Sequence, residues 1–418
     1  MIFSSKVLCQ YRLSAYNLLI HASLLCFIQA HAEDVPSFGV LLRQGLSQAP
    51  ILLEQSANIR AATANIQQAK AYLNPSISGL SENLNTRADY IQHTVLLTQP
   101  FEIGGKRAAR IEARSKDLLV AETRDQEIQV LYAAELATAY AMTEAMHERM
   151  KVAENDISRA NDDTNAAKTL VESGREASLR VSQAQANLSA AEASFQAAEA
   201  NFIEAMVRLS ALAGSTSTYT GLGESFTSRI LSENRAKKDD SETSPAIRRA
   251  QAEHEALLSQ VTVEEKRSIP NIEISAGVRH FEGISSQAFV IGFGSAIPVF
   301  DQNKGGIAAA NERAIAAEAR LNATKLQVNA NQQAATAQVN ASERRLKAAR
   351  EGERAATQAY QLAKTGYEAG KTPLIELLFT RKSLTDAKLS TIDASFTFVK
   401  SLATLAAAEG RIAFGDFK

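Results

Sequence analysis

The side chains able to do chemistry are few, and their spacing does not suit it. Four histidines follow residue 32, at positions 93, 147, 254 and 280. None stands in an HxxxH or HExxH spacing, which would put two imidazoles on one helix face for a metal. Gly104-Gly105-Lys106 is a fragment of a phosphate-cradling loop, but it lacks the full spacing and the Ser/Thr after lysine. It reads instead as a joint between a strand and a helix. No paired carboxylates and no nucleophile–base constellation stand out, so the residues argue for a conduit without catalysis, cofactor or resident metal. A formal charge of −1, with acids and bases mixed along the chain, leaves no basic footprint for nucleic acid.

Residues 1–32 carry Lys6 and Arg12, then an apolar run including Leu18, Leu19, Leu24, Leu25 and Phe27, then Ala30-His31-Ala32. That order is a secretory signal peptide cleaved after Ala32. The run is broken by Asn17, His21 and Ser23 and falls short of the ~20 apolar residues of a membrane anchor. Both cysteines, Cys9 and Cys26, lie in this segment and follow leucine rather than a small residue, so neither suits lipid attachment. The mature chain is left with 43 basic and 46 acidic residues and no thiol.

The elements that must position these residues are written twice. Pro50 and Pro245 are 195 residues apart, as are Pro75 and Pro270; Pro100 and Pro298 are 198 apart. Glu172-Ser173-Gly174 answers Glu368-Ala369-Gly370 at 196, Gly214 answers Gly410 at 196, and Lys106 answers Lys304 at 198. The reading is two tandem repeats, 33–214 and 245–418, joined by a polar stretch at 215–244 that contains Lys237-Lys238-Asp239-Asp240. Each repeat opens with a helix, Ile51–Tyr72 or Ala246–Arg267, with proline at its start. Two short alternating segments follow, then a long helix at 105–172 or 304–368, free of proline. The chain turns at Gly174 or Gly370 and returns as a helix at 176–213 or 374–409. A 68-residue helix spans ~100 Å, so the short and returning helices, stacked end to end, could flank the long one as a rod or tube. The returning helices carry heptad seams: Val181, Ala184, Leu188, Ala191, Phe195 and onward to Leu212, and Leu377, Thr380, Leu384, Ala387 and onward to Ala408.

The alternating segments are Ser76–Leu84, Tyr90–Gln99, Asn271–Phe281 and Ala288–Pro298. Taken alone, each pair could be a soluble hairpin with one wet face. At ~9–11 residues with period two, they also match membrane-spanning β-strands. Four strands are too few to close a barrel, and open edges cannot sit in lipid. Closure would then come from symmetry, with three subunits giving twelve strands above a helical tube. The rival from another class is a periplasmic coiled-coil adaptor or scaffold with no channel, in which the strands would flank a single helical hairpin.

These residues carry a resemblance. The repeat, Leu73-Asn74-Pro75-Ser76-Ile77-Ser78 and Tyr367-Glu368-Ala369-Gly370-Lys371-Thr372-Pro373-Leu374-Ile375-Glu376 are similar to the TolC family of outer-membrane efflux proteins, over nearly all of the mature chain. Gln99-Pro100-Phe101-Glu102-Ile103-Gly104-Gly105-Lys106-Arg107, with Arg110, resembles the heavy-metal-export branch, the CzcC-like and CusC-like proteins. The resemblance implies a mainly α fold with four membrane strands per chain. It implies a homotrimer with a twelve-stranded barrel in outer-membrane lipid and an α-helical tunnel across the periplasm. Its partners would be a periplasmic adaptor and an inner-membrane RND-type pump exporting divalent or heavy-metal cations. Gly174, Gly370, Lys371 and Thr372 would be tip positions meeting the adaptor. Tyr367 falls at the family's gating tyrosine. Thr372 stands where the family has its arginine partner, and Arg180 where it has an opposing acid, so the usual gate pairing is not preserved. Glu376 matches an acidic ring position, and Phe379 stands where the next one would be. Glu376 is either part of a cation-favouring ring or a solvated helix charge.

Overall fold

The computed structural model describes residues 34–85, 91–215, 217–223, 225–232 and 244–415. The signal peptide 1–32 and the run Lys237–Asp240 lie outside the described residues, as does Tyr90. In chain order the elements are β1 (Asp34–Val35), α1 (Phe38–Gln48), α2 (Pro50–Lys70), β2 (Ser76–Glu82), β3 (Gln92–Glu102), α3 (Lys106–Glu172) and α4 (Leu179–Leu212). After these come β4 (Gly221–Leu222), α5 (Phe226–Ser232), α6 (Pro245–Arg267), β5 (Asn271–Phe281), β6 (Ser286–Ser295), α7 (Lys304–Glu368) and α8 (Leu374–Ala408). The fold is mainly α with a small β part.

Pro50 and Pro245 open α2 and α6, where the missing N–H removes nothing the helix would have used. The two long helices have 67 and 65 residues, which is about 100 Å each. Helix α3 is flanked at one end by α2 and α6 and at the other by α4 and α8; α7 packs on α6 and α8. The short and returning helices therefore stack along the long ones as the lengths required. The result is a layer whose outer margins are α2 with α4 on one side and α7 on the other. Small residues at the seams let the helices approach: Ala133, Ala137, Ala141, Ala160 and Ala167 on α3, Ala184 and Ala191 on α4, Ala310, Ala314 and Ala317 on α7. The ten seam positions from Val181 to Leu212 and the ten from Leu377 to Ala408 are all buried or half-buried.

The heaviest packing rings the middle of α3. Phe38, Tyr140, Phe226 and Phe414 interlock, with Phe38 stacked on Phe226 at 4.3 Å between centroids and the other contacts edge-on. Tyr140 donates to the Pro36 carbonyl at 3.3 Å, and Tyr132 to the Leu212 carbonyl at 3.2 Å. Burial, reinforced by Glu135, pushes the Tyr132 phenol up to about 12. Gly45 is required here, because a Cβ would stand 2.0 Å from the Tyr132 hydroxyl. This knot joins the leading segment, the inter-repeat connection and the chain end.

The sequence reading did not anticipate α1, α5 or the parallel pairing of β1 with β4. β1 and α1 precede the helix that opens the repeated plan, β4 and α5 fall in the connection 215–244, and all but α1 have seven residues or fewer. The second expected strand, Tyr90–Gln99, instead begins at Gln92 and continues through Pro100 to Glu102. Pairing of β3 with β2 ends at Thr98, so Pro100 sits where β3 has one strand neighbour and a missing donor is tolerated. Strand β6 is shifted the other way, running from Ser286 to Ser295 and stopping short of Pro298.

Candidate functional site

The four long strands form one antiparallel sheet in the order β2-β3-β5-β6, so the two repeats are zipped together by β3 and β5. Register sorts the side chains. Ile77, Leu97, Ala276 and Ile291 stand opposite one another across the sheet, as do Val95, Val278 and Phe289. Phe289, Ile291 and Phe293 are 91%, 83% and 93% exposed, an apolar face with nothing over it. The other face is mixed, with Leu80, Leu96 and Val290 among polar side chains. Thr98 and Ser275 share a hydrogen bond of 2.8 Å, and Arg279 donates to Thr94 at 3.0 Å while lying 3.9 Å from Glu82. Among the described residues both outer edges, β2 and β6, are unpaired. Among the described residues no helix is long and apolar enough to cross a membrane.

The strand-to-helix joint is built on Gly104 and Gly105, both at positive φ. A Cβ at Gly104 would meet Ile269 at 2.4 Å, which explains why this joint needs glycine. Lys106 donates to Asn271 Oδ1 at 2.7 Å, and Arg110 forms a two-point ion pair with Glu102. These bonds tie the root of α3 to the sheet.

About 100 Å away, the hairpins end in glycines at positive φ, Gly174 at +73° and Gly370 at +70°. Both C-terminal ends are closed by backbone bonds, Arg175 N–H to the Leu170 carbonyl and Lys371 N–H to the Gly366 carbonyl. Gly174, Gly370 and Lys371 are exposed, and Thr372 is half-buried against Gly366. Glu376 is exposed in the first turn of α8. Arg180 lies 3.6 Å from Glu176 and donates to Gln183 at 3.0 Å. The Tyr367 hydroxyl is buried with no hydrogen-bond partner among the described residues. Its pKa is raised by burial, then by Glu176 and Asp163, with Arg180 acting the other way. The structure thus brings Tyr367 and Arg180 into one neighbourhood. Glu376 has neither hydrogen bond nor ion pair through its side chain among the described residues.

Sequence reasoning missed the strongest polar contact near these tips. Arg381 of α8 donates to Asp163 of α3 at 2.7 Å and lies 3.8 Å from Asp156. The Arg381 and Asp163 side chains are 8% and 9% exposed. Burial holds the Asp163 carboxyl above its ordinary value despite the guanidinium. Higher up, Arg149 of α3 grips Asp393 of α8 through both carboxylate oxygens at 2.6 Å. A signal was present: Arg381 lies four residues after Leu377 and three before Leu384, a charge on the flank of an apolar seam.

The histidines are partly regrouped. His93 stands directly opposite His280 across β3 and β5, bonded to Ser81 at 2.8 Å and 3.8 Å from Glu282. His147 packs on Phe202 with 4.9 Å between centroids. Among the described residues no group of three His, Cys, Asp or Glu could hold a metal ion.

Comparison with known proteins matches this architecture. The sequence model described as "Outer membrane efflux protein" covers residues 41–215 and 240–411. The nickel-cobalt-cadmium resistance protein NccC of Alcaligenes xylosoxydans is 46% identical over 92% of this chain and 89% of its own length. The nickel and cobalt resistance protein CnrC of Cupriavidus metallidurans is 47% identical over 93% of each. The cobalt-zinc-cadmium resistance protein CzcC of the same organism is more distant, 27% identical over 60% of each chain. Among solved structures, CusC superposes with a TM-score of 0.77 at 16% identity, over 90% of this chain and 92% of that one. The MtrE outer membrane channel of Neisseria gonorrhoeae gives 0.73 at 17% identity, over 92% and 91%. The chain belongs to the outer membrane efflux protein family.

Proposed function

We propose that the protein is the outer-membrane exit duct of a tripartite heavy-metal efflux system, conducting divalent cations passively from an inner-membrane RND-type pump through a periplasmic adaptor. The observation that carries this reading is the four-stranded sheet with an uncovered apolar face and two unpaired edges. Lipid is the solvent that suits the face, and it forbids the edges. The strands alternate in direction, so β6 of one protomer meets β2 of the next antiparallel, and three protomers close twelve strands with no edge left. The same operation brings α7 of one protomer beside α2 and α4 of its neighbour, which closes the helical layer into a tunnel reaching into the periplasm.

In this arrangement the repeats 33–214 and 245–418 are the two structural halves and 215–244 is the connection near the tunnel's middle. Gly174, Gly370, Lys371 and Thr372 present the turns to the adaptor. Tyr367 and Arg180 form the gate neighbourhood, and three copies of Glu376 favour cations at the entrance. Nickel and cobalt are the cargo favoured by the likeness to NccC and CnrC. The protein itself performs no catalysis.

The test is membrane fractionation with electrophoresis of unheated samples, followed by metal-sensitivity profiling of a deletion strain. A heat-labile trimer in the outer membrane, and sensitivity first to nickel and cobalt, are the expected results. Recovery as a soluble periplasmic monomer sinks the channel. In the reconstituted trimer, Glu376→Lys lowers cation conductance; unaltered ion selectivity removes the entrance role.

A further inference from the structure

On the channel reading above, the mixed face of the sheet lines a lumen, and its charges are not equivalent. At one end Arg279 is held by Thr94 and faces Glu82. At the other end Arg110 binds Glu102, and Lys106 is engaged by Asn271. Between the Arg279–Glu82 and Arg110–Glu102 pairs stands Glu273 of β5, with Lys106, bonded to a neutral amide, keeping its charge at Asn271. It is exposed, and among the described residues its side chain makes neither hydrogen bond nor ion pair. Its partners across the sheet are Pro100 and Gly294, neither of which supplies a charge. A Cβ at Gly294 would lie 3.8 Å from Glu273 Oε2, so glycine leaves the carboxylate uncovered. The strand that would arrive from the next protomer, β2, runs Ser76–Glu82 without a Lys or Arg.

We propose that Glu273 is a specificity-determining residue of the channel, one copy per protomer forming a three-carboxylate ring inside the barrel that selects divalent cations on the exit path. The first repeat has Ser78 at the corresponding position, 195 residues earlier, so the ring holds three acids and not six. Like charges set in a low-dielectric wall focus their field into the lumen and raise the local concentration of counter-ions. The Arg279–Glu82 and Arg110–Glu102 pairs largely cancel within a few ångströms, which leaves Glu273 to set the field at its own level, with Lys106 at the root of the sheet as the opposing charge. This ring is distinct from Glu376, which lies at the far end of the helices.

The experiment measures reversal potentials of the purified trimer in planar bilayers, under a potassium chloride gradient and then with nickel chloride on one side. Glu273→Gln, close in shape and therefore gentle on folding, lowers the cation-to-anion permeability ratio. Glu273→Lys lowers it by roughly tenfold. Ser78→Glu, which adds three acids in the first repeat, raises it. Open pores whose reversal potentials match the parent in both Glu273→Gln and Ser78→Glu overturn this inference and leave the channel standing. A parent protein that opens no pores overturns the channel reading and the inference with it.

Discussion

The two helical hairpins end in the same turn, built on Gly174 and Gly370, yet they are held in different ways. At an offset of 196, Gly366 in the second hairpin corresponds to Leu170 in the first, and Pro373 to Ala177. The second tip is therefore tighter: Thr372 packs onto α7 where a side chain at residue 366 would block it. The flanking seams differ more. Asp156, Asp163 and Arg381 form the buried pairing between α3 and α8, whereas their counterparts are Gly352, Ala359 and Gln185. The two repeats thus share one frame, and only one of its two equivalent seams carries the buried ion pair. In the proposed trimer the locked seam lies within a protomer, and the seam of small residues between α7 and α4 lies between protomers. A desolvated ion pair is costly to separate, while small apolar faces can shift with little loss.

The largest expected effect breaks that asymmetry directly. Arg381→Ala leaves Asp163 buried without its cation and costs about 3–5 kcal/mol in a denaturant titration, most of it recovered when Asp163→Leu is added. An unchanged midpoint in the single variant would dispose of the lock. Next, Gly366→Leu forces a side chain against Thr372 and costs about 1–3 kcal/mol. Its mirror, Leu170→Gly, costs only about 1 kcal/mol through helix propensity. Equal losses in thermal melts would show that the tips do not differ in tightness.

A Cβ at Gly174 or Gly370 meets no atom within 4 Å, so the main cost of Gly174→Val or Gly370→Val is the left-handed backbone, about 1–2 kcal/mol. The two should be alike in stability, and both should still insert into the membrane. Crosslinking to the adaptor in cells separates them from the parent; export at the parent level with Gly370→Val contradicts the tip role.

The smallest effect lies away from the tips and serves as a control. Glu144 accepts bonds from the Phe226 and Thr227 amides and the Thr227 hydroxyl, closing the start of α5, and burial raises its pKa above 4.5. The folded state then binds this proton more tightly than the unfolded one. Its contribution is full below pH 4.5 and is lost as pH rises through the raised value. Amide exchange in α5 should quicken slightly across that range, and Glu144→Gln should flatten the dependence.

Much of this was legible in the sequence because each signal is local. The strand Asn271–Phe281 and the long helices were readable to within a residue or two, since their periodicity is contained in the element itself. The glycine turns were readable because positive φ restricts the residue type. The site was less legible. The tip glycines could be found by type and position, and Tyr367 and Glu376 only through the family resemblance, but Arg381 and Asp163 are 218 residues apart and neither is unusual in its own helix. Glu273 looks like one polar position in an alternating strand until the register shows what stands opposite.

The sequence by itself determined that there are two copies of one plan, with rods about 100 Å long, short strands with an oily face, and turns that admit glycine. Only the tertiary structure decided that β3 and β5 join the copies into one sheet, that α3 is flanked by α2, α4, α6 and α8, and that Phe38, Phe226 and Phe414 close one knot. The reason is physical. A segment's own repeat fixes its conformation and its buried face, but which faces meet depends on how distant parts of the chain shed water and pair their polar groups together.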